Sequence, residues 1–195
     1  MANTLPPGMD TSAMQKDTTS GTIHSRSMLQ LRGYLLNNRQ NGLDAYFKYY
    51  PDETHASAPL IAAYDALHYI FKDYALKLQD SYFTNPTFKL AAYLRAHFAH
   101  ISTKYGFKSE DGHTLPPPED LVNNLGFFVM QQKQFDKAEG MFKMNIKNYP
   151  SGAVAYGYLG DLYAGNGDKK DARANYQKSL SLKEDTAIMK KLEGL

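Results

Sequence analysis

The sequence predicts a mainly α fold that closes with two helix-turn-helix repeats. Three observations predict it. Leu125-Gly126 returns as Leu159-Gly160, Ala138 as Ala172 and Phe142 as Tyr176, each pair 34 residues apart. A fixed period with small and large residues at matched places marks a helical hairpin repeat. Gly and Ala let two antiparallel helices approach closely, and the aromatic fills the wedge beside them. Second, the stretches before the repeats carry apolar residues at helical spacing. Third, one short stretch alternates instead, and it is the only good strand signal in the chain.

In chain order, Met1 to about Thr22 shows no periodicity, and Pro6-Pro7-Gly8 with Asp10-Thr11-Ser12 reads as a loop or frayed terminus. Met28, Leu31 and Leu35, with Leu29 and Leu36, predict a helix from about His24 to Asn38. From Leu43 to Tyr50, Leu43, Ala45, Phe47 and Tyr49 alternate with Asp44, Tyr46, Lys48 and Tyr50, which predicts a strand. A lone strand leaves its backbone N–H and C=O groups unmet, so it calls for a neighbour. Ala58-Pro59 opens a helix bearing Leu60, Ile61, Tyr64, Leu67, Ile70 and Phe71 that runs towards Leu78. Asn85-Pro86 starts the next, with Phe88, Leu90, Ala91, Leu94, Phe98, Ile101 and Tyr105 on its apolar face and Gly106 at its end. Asp111-Gly112 and Pro116-Pro117-Pro118 form a turn-rich link. The repeats follow, with helices expected near 119–132 and 135–148, then 153–165 and 169–182. Asn166-Gly167 supplies left-handed turn residues and Asp168 the next N-cap. A short helix from Asp185 to about Leu192 caps the stack.

Composition narrows the function. The 195 residues are 43% apolar and carry a net charge of +2, with no dense Lys/Arg run, so no nucleic acid is indicated. There is no cysteine, hence no disulfide and no thiolate metal site. The first 25 residues lack an apolar h-region and read as no signal peptide; no apolar run reaches the length of a membrane span. The compartment stays open. His97 and His100 stand i and i+3 on a helix, but no third ligand has matching spacing, so no metal is expected. His68 reads as a surface or packing residue, and Glu119 favours a helix N-terminus. No cofactor is implied.

The 34-residue pattern resembles the tetratricopeptide repeat, over about a third of the chain. A second resemblance covers the earlier part. The run Gly42 to Leu60, containing Asp52-Glu53-Thr54-His55-Ala56-Ser57-Ala58-Pro59 and followed by Tyr64-Asp65-Ala66-Leu67 and Ile70-Phe71, resembles the C-terminal end of an esterase of the α/β-hydrolase fold. It is similar to the branch grouped with ferric-siderophore esterases and esterase D. In that family the last strand delivers a D-x-x-H-x-S-x-P loop whose histidine is the catalytic base, which implies His55. The segment Ala2-Asn3-Thr4 with Gly8-Met9-Asp10 resembles the place that supplies the acid, which implies Asp10. Some members carry a repeat tail, which Pro117-Pro118-Glu119 and Asn123-Asn124-Leu125-Gly126 fit.

The resemblance implies an α/β-hydrolase C-terminal remnant of one strand and two helices over 1–82, a bridging helix and Pro-rich linker over 83–118, and repeats with a capping helix over 119–195. It implies hydrolysis of a carboxylic ester: a serine attacks, His55 takes its proton and Asp10 orients His55. Yet no G-x-S-x-G elbow exists here, and Ser20, Ser57 and Ser151 are not flanked as one. The chain alone is therefore expected to be inactive, as the C-terminal region of a longer enzyme. His55 also stands open to a plain reading as a loop histidine. In the repeats, the resemblance places Asn123, Phe127, Met130 and Gln131, with Val154, Gly157, Asp161 and Ala164, on the inner, protein-binding surface. The basic and Asn clamp of chaperone-binding relatives is missing. The rival reading is a stand-alone interaction or oligomerisation module. Self-association is expected through the strand 43–50 or through the repeats, alongside a protein partner in the repeat groove.

Overall fold

The period of 34 residues becomes two stacked helical hairpins in a computed structural model that describes residues 8–54, 56–109 and 112–195. The chain divides into two compact units between Ala75 and Leu76, and it is mainly α.

In the second unit, α6 (Glu119–Gln131) pairs with α7 (Phe135–Asn148), and α8 (Ala153–Gly165) with α9 (Lys169–Leu182); α10 (Thr186–Glu193) covers the end. Each hairpin closes on a glycine. A Cβ on Gly126 would stand 2.6 Å from the Phe142 ring, and one on Gly160 would stand 2.5 Å from the Tyr176 ring. The polar ties also repeat in register. Asn145 Nδ2 donates to the Glu119 carbonyl at 3.0 Å, and Ser179 Oγ to the Ala153 carbonyl at 2.9 Å. Each tie fastens the second helix to the carbonyl of the first residue of the first helix. The turns match as well: Gly167 has φ +80°, and the residue 34 places earlier, Lys133, has φ +58°. Lys133 holds a left-handed conformation that costs an L residue about 1–2 kcal/mol, which Gly167 avoids. Asp168 and Asp185 cap α9 and α10 by accepting from backbone N–H groups.

Two further helices belong to this unit, α4 (Asp80–Thr84) and α5 (Leu90–Tyr105). Leu90 and Leu94 are buried in the same core as Val122, Met141 and Phe142. The expected start of the helix at Asn85-Pro86 is corrected. Asn85 Oδ1 accepts from Thr87 N at 3.0 Å and from Thr87 Oγ1 at 2.9 Å, a local turn that ends α4 and delays α5 to Leu90. The last carbonyls of α4 are taken by Lys137: its Nζ donates to Tyr82 O at 2.9 Å and to Asn85 O at 2.8 Å. A cation at a helix C-terminus meets the negative end of the dipole. Burial lowers the pKa of that ammonium. Gln134 Nε2 also donates to Phe83 O.

In the first unit, α1 (Thr11–Lys16) and α2 (Ile23–Asn37) precede α3 (Ala58–Ile70). The N-terminal stretch is thus partly helical, not a plain loop. Asp10 caps α1, and Asp17 then accepts from the Thr19 and Thr22 hydroxyls, each at 2.6 Å. Those two bonds hold the Asp17 carboxyl at about 2. Helix α3 stops at Ile70, short of Leu78, with Phe71 as its C-cap.

The strand is the main correction. Among the described residues no strand forms: Lys108 pairs with Thr114 in an isolated β-bridge, and Tyr50 is a bridge residue. Leu43 to Tyr49 takes no regular structure and Tyr50 makes only a bridge, so the α/β remnant expected over 1–82 is not what the described residues build. The alternation has another use, because its even positions reach α3. Lys48 Nζ donates to Asp65 Oδ2 at 2.6 Å and Tyr50 OH to the same oxygen at 2.8 Å; Tyr46 stacks on Tyr69 at 4.7 Å, and Tyr69 OH donates to Asp44. Lys48 first, then Tyr50, hold the Asp65 carboxyl below the usual range. Period-two patterning reports a face against something; here that something is a helix.

Candidate functional site

Of the expected catalytic pair, His55 and Asp10, only Asp10 falls among the described residues. His55 lies outside them. Asp10 is committed locally: its Oδ1 accepts from Ala13 N at 2.7 Å, as the N-cap of α1. Ser57 Oγ accepts from Thr54 N at 3.0 Å in the turn before α3, not on a strand-to-helix elbow. The first unit does contain a cavity of about 450 Å³, large enough for a small molecule. Its described lining runs from Thr11 and Gln15 through Arg32 and Phe47 to Ala62 and Ala66, and holds no serine, histidine or carboxylate. Tyr46, Lys48, Tyr49 and Tyr50 also line it and give it phenol and amine groups. Among the described residues no group of three or more metal-ligating side chains converges.

The second unit presents a different kind of site. Helices α6 and α8, the first of each hairpin, run side by side. Phe127 on α6 meets Tyr158 on α8 with ring centroids 5.1 Å apart, and Tyr158 also meets Phe142 at 5.4 Å. Phe127 is 39% exposed, although Val122 and Val129 on the same helix are fully buried. Beside it, Gln131 is exposed and Met130 half-buried, and Val154 is exposed on α8. These residues make an apolar, aromatic patch with a polar edge.

Comparison with family models, curated proteins and solved structures found no match to this chain. The reading of the patch therefore rests on its geometry.

Two residues expected on this surface are occupied elsewhere. Asn123 is corrected: it is 3% exposed, and its Oδ1 accepts from Asn145 Nδ2 at 2.8 Å inside the first hairpin. An amide buried between paired helices must spend its bonds there. Asp161 is half-buried and accepts from Tyr176 OH at 2.8 Å and from Lys191 Nζ at 2.7 Å, tying α8 to α9 and α10. Gly157 and Ala164 are small, and a Cβ on Gly157 would stand 3.2 Å from Ile188 of the capping helix. Sequence reasoning missed Tyr158, whose register partner in the first repeat is the polar Asn124. It also missed the link between hairpins in which Tyr163 OH donates to Glu139 Oε1 at 2.7 Å. Lys143, on the same carboxylate at 2.7 Å, is the first cause that lowers the pKa of Glu139.

Proposed function

We propose that the second unit is a protein-binding module of the tetratricopeptide-like kind, which holds a short segment of a partner along α6 and α8. The observation that carries this reading is the Phe127–Tyr158 pair: two rings from consecutive first helices, one of them well exposed. Aromatic side chains set in a well-packed surface are frequent interface anchors. The ligand implied is a peptide with an aromatic or aliphatic anchor, its backbone met by the amide of Gln131. Neither acidic nor basic residues dominate the patch, so no C-terminal carboxylate is selected. The test is a calorimetric screen of short peptides, aromatic-anchored and polar, against the full chain and Phe127→Glu. Aromatic-anchored peptides are expected to bind, and about tenfold or more weaker to the variant, the order of loss for an anchor residue. Binding that Phe127→Glu leaves unchanged, or binding only of the polar peptides, would refute the reading.

A second reading is favoured by the alternating stretch Leu43 to Tyr50, which ends in a β-bridge at Tyr50 without forming a strand. In it, the first unit is the C-terminal region of a serine esterase whose nucleophile and sheet come from another segment, with His55 as base. Under this reading the chain alone hydrolyses p-nitrophenyl acetate at the buffer rate, and His55→Ala changes nothing. Turnover above the buffer rate that disappears in His55→Ala would mean that a complete site exists in this chain.

A further inference from the structure

The cavity of the first unit is lined by residues at helical spacing. Helix α1 gives it Thr11 and Gln15, α2 gives Met28 and Arg32, and α3 gives Ala62 and Ala66, each pair four places apart. Residues at that spacing share one face of a helix, so three helices each turn one face to the same space. The stretch 46–50 completes the wall. The alanines of α3 keep the space open, because their side chains end at Cβ. At about 450 Å³ the cavity falls within the roughly 300–1,000 Å³ of small-molecule sites.

Polarity varies with depth. Tyr50 is buried, and Met28, Leu29, Phe47 and Ala62 are half-buried, whereas Gln15, Arg32 and Lys48 are exposed. The inner wall is therefore mainly apolar and aromatic, and the charged groups stand at the rim. One of those charges is already met. The Lys48 ammonium and the Tyr50 hydroxyl both donate to Asp65, which compensates Lys48. Asp10, next to Thr11, is turned back onto Ala13 N as the cap of α1. The arginines on either side in sequence are spent on carbonyls: Arg26 donates to Thr19 O at 3.1 Å and Arg39 to Ala45 O at 2.7 Å. Arg32 differs from both, since among the described residues no acid or carbonyl takes its guanidinium.

We infer that the cavity binds a small aromatic carboxylate, its ring against Phe47, Met28 and Leu29 and its carboxylate on Arg32. A guanidinium presents parallel N–H groups that match a carboxylate, and such a bond is strengthened by charge. An aromatic wall and a methionine thioether both favour a flat π system over an alkyl chain. With Lys48 paired, Arg32 is the uncompensated cation of the described lining, and one positive charge suits a monoanion. A phosphate monoester carries a charge of about −1.5 to −2 and would leave part of it unmet. The described lining lies wholly within the first unit, so this site neither rests on nor requires the peptide-binding reading of α6 and α8.

The test is titration of the full chain with naphthoate, followed by the backbone amide signals in two-dimensional NMR. Saturable shifts are expected within 46–50 and at Ala62 and Ala66. Naphthamide has the same ring and no charge, and is expected to bind about tenfold or more weaker, the order for a hydrogen bond to a charged group. Arg32→Gln is expected to weaken naphthoate by a similar factor and to leave naphthamide unchanged. Because Arg32 is exposed, that variant is expected to keep the native far-ultraviolet circular dichroism spectrum. Ala66→Phe narrows the cavity and is expected to abolish binding of both probes. Absence of saturable shifts with naphthoate overturns the proposal, as does naphthoate binding that Arg32→Gln leaves unchanged. Shifts confined to α6 and α8 also overturn it, since they would place the naphthyl ring on the peptide surface. Hexanoate binding as tightly as naphthoate overturns the selection of an aromatic ring, and tighter binding of naphthyl phosphate overturns the selection of a monoanion. If Ala66→Phe loses helix, the acid and amide compared on the native and Arg32→Gln chains decide alone.

Discussion

Phe142→Ala is expected to cost about 3–5 kcal/mol, the range for emptying an aromatic site in a closed core. Three features place it at the upper end. Phe142 is fully buried, it sits against the backbone of Gly126, and Tyr158 of the next hairpin rests on it. Collapse into the space is resisted, because the Asn145–Glu119 and Asn145–Asn123 bonds hold α6 and α7 at their present separation. The loss should reach both hairpins, since Phe142 and Leu159 share one core. The measurement is amide hydrogen exchange, which reads α6 to α9 separately from the first unit. Protection should fall together in α6, α7 and α8. A fall confined to α7 would mean that the hairpins are energetically independent.

Gly160→Ala is expected to destabilise the second hairpin by about 2 kcal/mol, against the helical preference of alanine. Alanine alone would add about 1 kcal/mol of helix propensity. The added Cβ would stand 2.5 Å from two carbons of the Tyr176 ring, and overpacking of that kind costs about 1–3 kcal/mol. The ring cannot simply withdraw. Its hydroxyl donates to Asp161 Oδ1 at 2.8 Å, and moving it strains a bond to a carboxylate worth about 1.5–3 kcal/mol. Burial first, then that bond, raise the pKa of the Tyr176 phenol. The sign reverses if the ring is the cause: in a Tyr176→Leu background, Gly160→Ala should be neutral or mildly stabilising. A double-mutant cycle in urea checks this. Additive effects would mean that the close approach seen at Gly160 carries no energy.

These two predictions rest on the part of the chain that was most legible. Gly126 and Gly160, Ala138 and Ala172, and Phe142 and Tyr176 declare a close helix pair by size alone, and each helix is defined by residues within a few turns of each other. Period, caps and turn glycines are local chemistry, so the bounds of α6 to α10 follow from them. The site was less legible. Phe127 was readable as an inner-surface residue, but Asn123 at the start of the same face is buried, because a residue near the hairpin's open end meets Asn145 from the second helix. No spacing within α6 announces that meeting.

The first unit marks the limit more sharply. Leu43 to Tyr50 carries the period of a strand, and that period is met by Asp65 and Tyr69 of α3 instead of by a second strand. Alternation states that a segment has two faces; it does not state what each face touches. Asp10 has the chemistry of a triad acid and of a helix cap alike, and the proximity of Ala13 N made it a cap. Residue order along the chain therefore set the helices, the repeat and their ends. The partner of each face depends on which distant segment arrives there, and that is decided by packing between elements far apart in sequence.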